Sequence, residues 1–102
     1  MRLRYRAQAL ADIEAIHRFI EERNPAGAQN VLRAIYASIH LIGEHPLSYQ
    51  RTDDPGVRVH VVQRYRYKIF YSVGDDAAEI IHVRHASRRP WTGETGSPRS
   101  RE

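Results

Sequence analysis

The chain has no cysteine among its 102 residues. Disulfide frameworks, thiol nucleophiles and Cys-ligated zinc sites are therefore excluded. Lysine is nearly absent too: of 16 basic residues, every one except Lys68 is Arg. No apolar run approaches the ~20 residues that a membrane helix needs. Residues 2–6 alternate Arg with apolar side chains and lack the apolar stretch of a secretory signal. The expectation is a cytoplasmic protein with no membrane association. A Gly-rich phosphate loop, a Ser elbow and a convergent carboxylate pair are also missing, because Asp53-Asp54 and Asp75-Asp76 are neighbours in turn segments.

With 41% hydrophobic and 27% charged residues, the composition is that of a globular chain. Its length allows one core, so residues 1–91 are expected to form a single domain. Residues 92–102 carry Gly, Ser, Pro, Arg and Glu without an apolar anchor and are expected to form a flexible tail. The formal net charge is +4. An excess made of Arg, whose planar fork fits carboxylate and phosphate, points to a nucleic acid or an acidic protein surface as partner.

Periodicity sets out the elements. Leu3 and Tyr5 alternate with Arg2, Arg4 and Arg6, as in a short strand. From Ala9 onward Leu10, Ile13, Ile16, His17 and Ile20 recur at helical spacing, with Asp12 and Glu14 early in the element. Asn24-Pro25 ends that helix and begins the next, Asn24 as N-cap and Pro25 as first helical residue. The second stripe runs Ala28, Val31, Leu32, Ile35, Ile39 and Ile42, with Gly43 read as its C-cap and Pro46 beyond. Residues 44–56 read as loop. Three strands follow in an antiparallel meander: residues 57–61, 65–73 and 79–85. The fold class is α+β, in the order β-α-α-β-β-β, a helical hairpin packed on an antiparallel sheet.

If the valines and tyrosines of the meander face the hairpin, then Arg58, His60, Arg66, Lys68 and also His82 and Arg84 share the opposite, exposed face. Such a surface can neutralise phosphates or pair with acidic side chains. Substituting Arg58 and Lys68 by Ala would then remove function without unfolding the chain. His82 and His85 lie three apart on a strand and point to opposite faces, so no metal site is expected, and no cofactor.

Cleavage of RNA without metal needs two proton-exchanging groups and cations around the phosphate. His60, Lys68, His82 and His85 are the candidates for that chemistry, but residue types alone establish no geometry.

Pro55-Gly56-Val57-Arg58, Tyr65-Arg66-Tyr67-Lys68-Ile69-Phe70-Tyr71 and Ile81-His82-Val83-Arg84-His85-Ala86-Ser87-Arg88-Arg89-Pro90-Trp91 occur in this order. Together with Ala11-Asp12-Ile13-Glu14-Ala15-Ile16 and Asn24-Pro25, they resemble the RelE/ParE toxin superfamily on its ParE-like branch, over residues 3–91. The resemblance implies a growth-inhibiting toxin of a type II toxin–antitoxin pair, held in a hetero-oligomer by a ParD-like antitoxin. The ParE branch poisons DNA gyrase; the RelE branch cuts mRNA on the ribosome. Trp91 stands where a nuclease of the RelE branch has a C-terminal Tyr or comparable acid/base group, and it exchanges no proton at neutral pH. The branch expected is therefore non-enzymatic gyrase poisoning, with endoribonuclease activity as the alternative. Target or antitoxin contacts expected on this basis are Arg58, Arg66, Lys68, Arg84, Arg88, Arg89 and Trp91.

Overall fold

In a computed structural model, residues 1–87 are described. The element order is β1 (Arg2–Tyr5), α1 (Ala7–Glu21), α2 (Pro25–Glu44), β2 (Gln50–Arg51), β3 (Arg58–Val62), β4 (Tyr67–Val73) and β5 (Ala77–His85). The expected tail at 92–102, and with it Arg88, Arg89 and Trp91, lies outside the described residues.

The helical hairpin forms where its capping signals place it. The Asn24 side chain accepts the Gly27 N–H at 2.9 Å, and Pro25 occupies the first helical position. That satisfies one of the orphan donors of the first turn. Gly43, however, is not a cap: α2 runs through it to Glu44. Gly43 is buried, and a Cβ there would stand 3.3 Å from the Leu3 side chain and 3.4 Å from the Met1 carbonyl. The glycine is used for close approach of the helix to β1. The helix α1 also begins earlier than its apolar spacing suggests, at Ala7, which moves Asp12 out of the first turn.

The five strands lie in the order β1-β5-β4-β3-β2. The sheet is mixed, because β1 pairs with β5 in parallel, from Arg2 opposite Ala77 to Tyr5 opposite Ile80. The two-residue β2 adds an edge strand that the loop-like composition of 44–56 conceals. The hairpin of α1 and α2 covers one side, burying Ala9, Ile13, Val31, Ile35, Ile39 and Ile42 against Val62, Ile69, Tyr71, Ala78, Ile80 and Val83.

The face assignment of β3 differs from the sequence expectation. Val62 pairs with Tyr67, so four residues make the turn and Tyr65 and Arg66 belong to it rather than to β4. An even loop sets odd positions of one strand beside even positions of the other. Tyr67, Ile69 and Tyr71 face the helices as expected, but Val57, Val59 and Val61 face away, and Arg58, His60 and Val62 take the helix side. On the outer side Val57, Phe70 and Ile81 make a second, smaller cluster with Val59 against it.

Two substitutions check this architecture in urea denaturation. Ile35 is fully buried, so Ile35→Ala is expected to cost about 2–5 kcal/mol. Asn24→Ala is expected to cost about 0.5–2 kcal/mol through loss of the cap. An Ile35→Ala midpoint equal to that of the parent would remove this residue from the core.

Candidate binding surface

The outer face of the sheet is a set of rows fixed by register. Val61, Lys68 and Arg84 lie side by side across β3, β4 and β5. Val59, Phe70 and His82 form the next row, with Ile81 displaced by an irregularity in the β4–β5 ladder. Glu79 lies further along, opposite Ser72, and pairs with Arg6 at 3.3 Å. Thus Lys68 and Arg84 are direct cross-strand neighbours of like charge, half-buried, their side chains with no hydrogen bond or ion pair among the described residues.

Arg66 sits two positions before Lys68, in the β3–β4 turn, at φ 61°. The left-handed conformation costs a non-glycine residue roughly 1–2 kcal/mol. It is enforced here on both sides: the Arg66 N–H donates to the Val62 carbonyl at 2.8 Å, and the Arg66 carbonyl accepts the Ala86 N–H at 2.6 Å. The turn therefore ties the start of β4 to the end of β5.

Arg58 is not on this surface. It pairs with Tyr71 across the ladder on the helix side, and its guanidinium donates to the Tyr49 carbonyl at 2.8 Å and the Leu47 carbonyl at 3.4 Å. Beside it the Tyr71 hydroxyl donates to the Pro46 carbonyl at 2.7 Å. Burial pushes the Tyr71 phenol up to about 12, against a partial offset from the Arg58 charge. Arg58 and Tyr71 together pin the 46–49 segment beneath the end of α2.

His60 also lies on the helix side, its ring 4.2 Å from that of Tyr49 in an edge-on contact. Burial lowers its pKa below the ordinary imidazole value. It cannot join Lys68 on the opposite face. His85 shares the helix side as well, edge-on to Tyr67 with ring centroids 5.2 Å apart. Its Nδ1 accepts the Ser87 N–H at 3.1 Å and lies 2.7 Å from the Ser87 hydroxyl, so the ring proton of the neutral imidazole is on Nε2.

His82 is the one histidine on the outer rows. Its Nδ1 lies 2.9 Å from an Asp12 carboxylate oxygen, and the same oxygen accepts the Val83 N–H at 3.0 Å. With Asp12 ionised, Nδ1 carries the hydrogen. β1 pairs with β5 only as far as Ile80, so the Asp12 carboxylate covers the edge that β1 leaves open. An acid beside Ile13 and four residues before Ile16, on the buried side of an amphipathic helix, was the available signal for this role.

Of the expected contacts, then, Lys68 and Arg84 come together with Arg66 near them, Arg58 is withdrawn, and Arg88, Arg89 and Trp91 lie outside the described residues. The nuclease candidates divide, His60 and His85 on one side of the sheet and Lys68 and His82 on the other. Among the described residues no group of three or more His, Asp or Glu is placed to hold a metal ion, and no helix is long and apolar enough to cross a membrane.

The profile described as "ParE toxin of type II toxin-antitoxin system, parDE" matches residues 3–90. The chain belongs to the ParE toxin family. It is thereby a type II toxin, with an antitoxin as partner. Among solved structures it is similar to one titled "Chromosomal ParDE TA system from P. aeruginosa", at 19% identity and TM-score 0.77, covering 85% of this chain and 97% of that one. It is also similar to a "YoeB/ParE toxin from Agrobacterium tumefaciens", at 17% identity and TM-score 0.58, covering 83% and 98%. At these identities the likeness is one of fold. No curated protein matches.

Two measurements test the assignments within this ParE-family fold. Arg58→Ala leaves partly buried carbonyls without their donor and is expected to destabilise by about 1–3 kcal/mol, whereas Lys68→Ala changes stability by less than about 0.5 kcal/mol. Equal, negligible effects in thermal melts would contradict the helix-side placement of Arg58. The lowered His60 pKa means that below pH ~6.5 the unfolded chain binds a proton which the folded chain resists. Stability should therefore fall as pH drops through that value, and the dependence should weaken in His60→Gln.

Proposed function

We propose that this toxin acts without chemistry of its own, by binding and poisoning DNA gyrase in the cytoplasm, and that a ParD-like antitoxin neutralises it in a hetero-oligomer. Residues 1–91 serve as the single toxin domain. The observation that supports the reading is that Lys68 and Arg84 stand together on the outer face, while His60 and His85, two of the four proton-exchanging candidates, lie on the other. Cleavage of a phosphodiester requires two such groups on opposite sides of one phosphate. Binding requires only a surface of complementary charge. Lys68, Arg84 and Arg66 are the contacts this reading assigns among the described residues, and Arg88, Arg89 and Trp91 complete the set that the resemblance implies.

Ribosome-dependent mRNA cleavage has one feature in its favour. The imidazole of His82 is oriented by Asp12 on the same face as Lys68 and Arg84.

Induction in a sensitive bacterium separates the two. Gyrase poisoning is expected to give filamentous cells with DNA damage and cleaved DNA trapped on purified gyrase, undiminished in His82→Gln. Arrest of translation with mRNA cut at ribosomes, lost in His82→Gln, would establish the nuclease instead. Normal growth with soluble protein would overturn both.

A further inference from the structure

We propose that Lys68 and Arg84 form the seat for a carboxylate side chain of an extended acidic and aliphatic peptide segment, which under the toxin reading above is part of the antitoxin. Two cations directly opposite each other on adjacent strands repel, with Cβ atoms about 5 Å apart. Such a pair is a net cost in the isolated fold unless an anion joins it. None is supplied among the described residues. Glu79 is held by Arg6, Asp76 by Arg2 and Arg4, and Asp12 by His82 and the Val83 N–H. The remaining like-charged pair, Arg51 opposite Arg58, differs because the Arg58 guanidinium is satisfied by the Tyr49 and Leu47 carbonyls.

The neighbours of the pair decide what kind of anion fits. Val61 adjoins Lys68 in the same row and Val59 lies in the next, both half-buried. A peptide crossing the strands would set an acid on the cations and aliphatic side chains on the valines, with alternate residues facing the sheet. A nucleic-acid backbone fits less well. It gains from many phosphate contacts, while these rows offer two cations and then Glu79. It also gains from bases stacked on open aromatic rings, while Phe70 is only 4% exposed.

Fluorescence anisotropy with the purified full chain tests the seat. The probes are a short fluorescein-labelled peptide alternating Val and Glu, the same peptide with Gln for Glu, and a labelled oligoribonucleotide of equal length. The Glu peptide should bind at least about tenfold more tightly than the Gln peptide. That preference should vanish in Lys68→Ser/Arg84→Ser and survive in Arg2→Ser/Arg4→Ser, which removes the same charge elsewhere. The thermal midpoint of Lys68→Ser/Arg84→Ser should be equal to or above that of the parent, since a repulsion is relieved. Equal binding of the Glu and Gln peptides, or tighter binding of the oligonucleotide through the same pair, would overturn the proposal. Toxicity on induction is scored separately. An inert chain that still selects the Glu peptide removes the toxin reading and keeps the seat, and a toxic chain without that selection removes the seat alone.

Discussion

Four residues separate Val62 from Tyr67, and that even number decides which side chains meet the helices and which face outward. The pleat gives each strand two faces, and the turn couples the choice on β3 to the choice on β4. Because Ile69 and Tyr71 must be buried, Arg58 and His60 are carried to the helix side with them, and Val59, Val61 and Lys68 are carried outward. The charge pattern of the exposed face thus follows from the packing demands of the opposite one. The left-handed Arg66 keeps the turn at this length, held between the Val62 carbonyl and the Ala86 N–H.

A guanidinium placed on the buried side has to be satisfied locally, and the loop after α2 does so. Arg58 and the Tyr71 hydroxyl, each of which would be costly to bury alone, take carbonyl oxygens from Pro46, Leu47 and Tyr49. The same bonds give an otherwise irregular segment a fixed path into β2. Arg58, which belongs to a binding inventory in the sequence, is here part of the frame.

The helical hairpin and the order of the main strands were legible because their signals are local: a 3.6-residue stripe, Asn-Pro at the junction, and alternation between turns. What the sequence concealed depends on relations between distant segments. Gly43 looks like a cap until Leu3 is brought against it. Asp12 looks like a solvated helix acid until the open edge of β5 arrives 71 residues later in the chain. Alternation predicts a whole basic face, yet of its expected members Lys68, His82 and Arg84 share the outer rows among the described residues, since alternation within a strand reveals two faces without naming which one is covered. β2 has no signal in the sequence because two residues carry no period.

The strand order has a temporal meaning. β1 is made first, but its sheet neighbour is β5, the last strand. The amino-terminal strand can meet α2 at Gly43 earlier, but it has no strand to pair with until residues 77–85 have been made. Lys68 and Arg84 likewise meet only at that point. The nascent polypeptide therefore lacks its cationic ridge through most of its own synthesis, and the ridge is completed only when β5 joins β4.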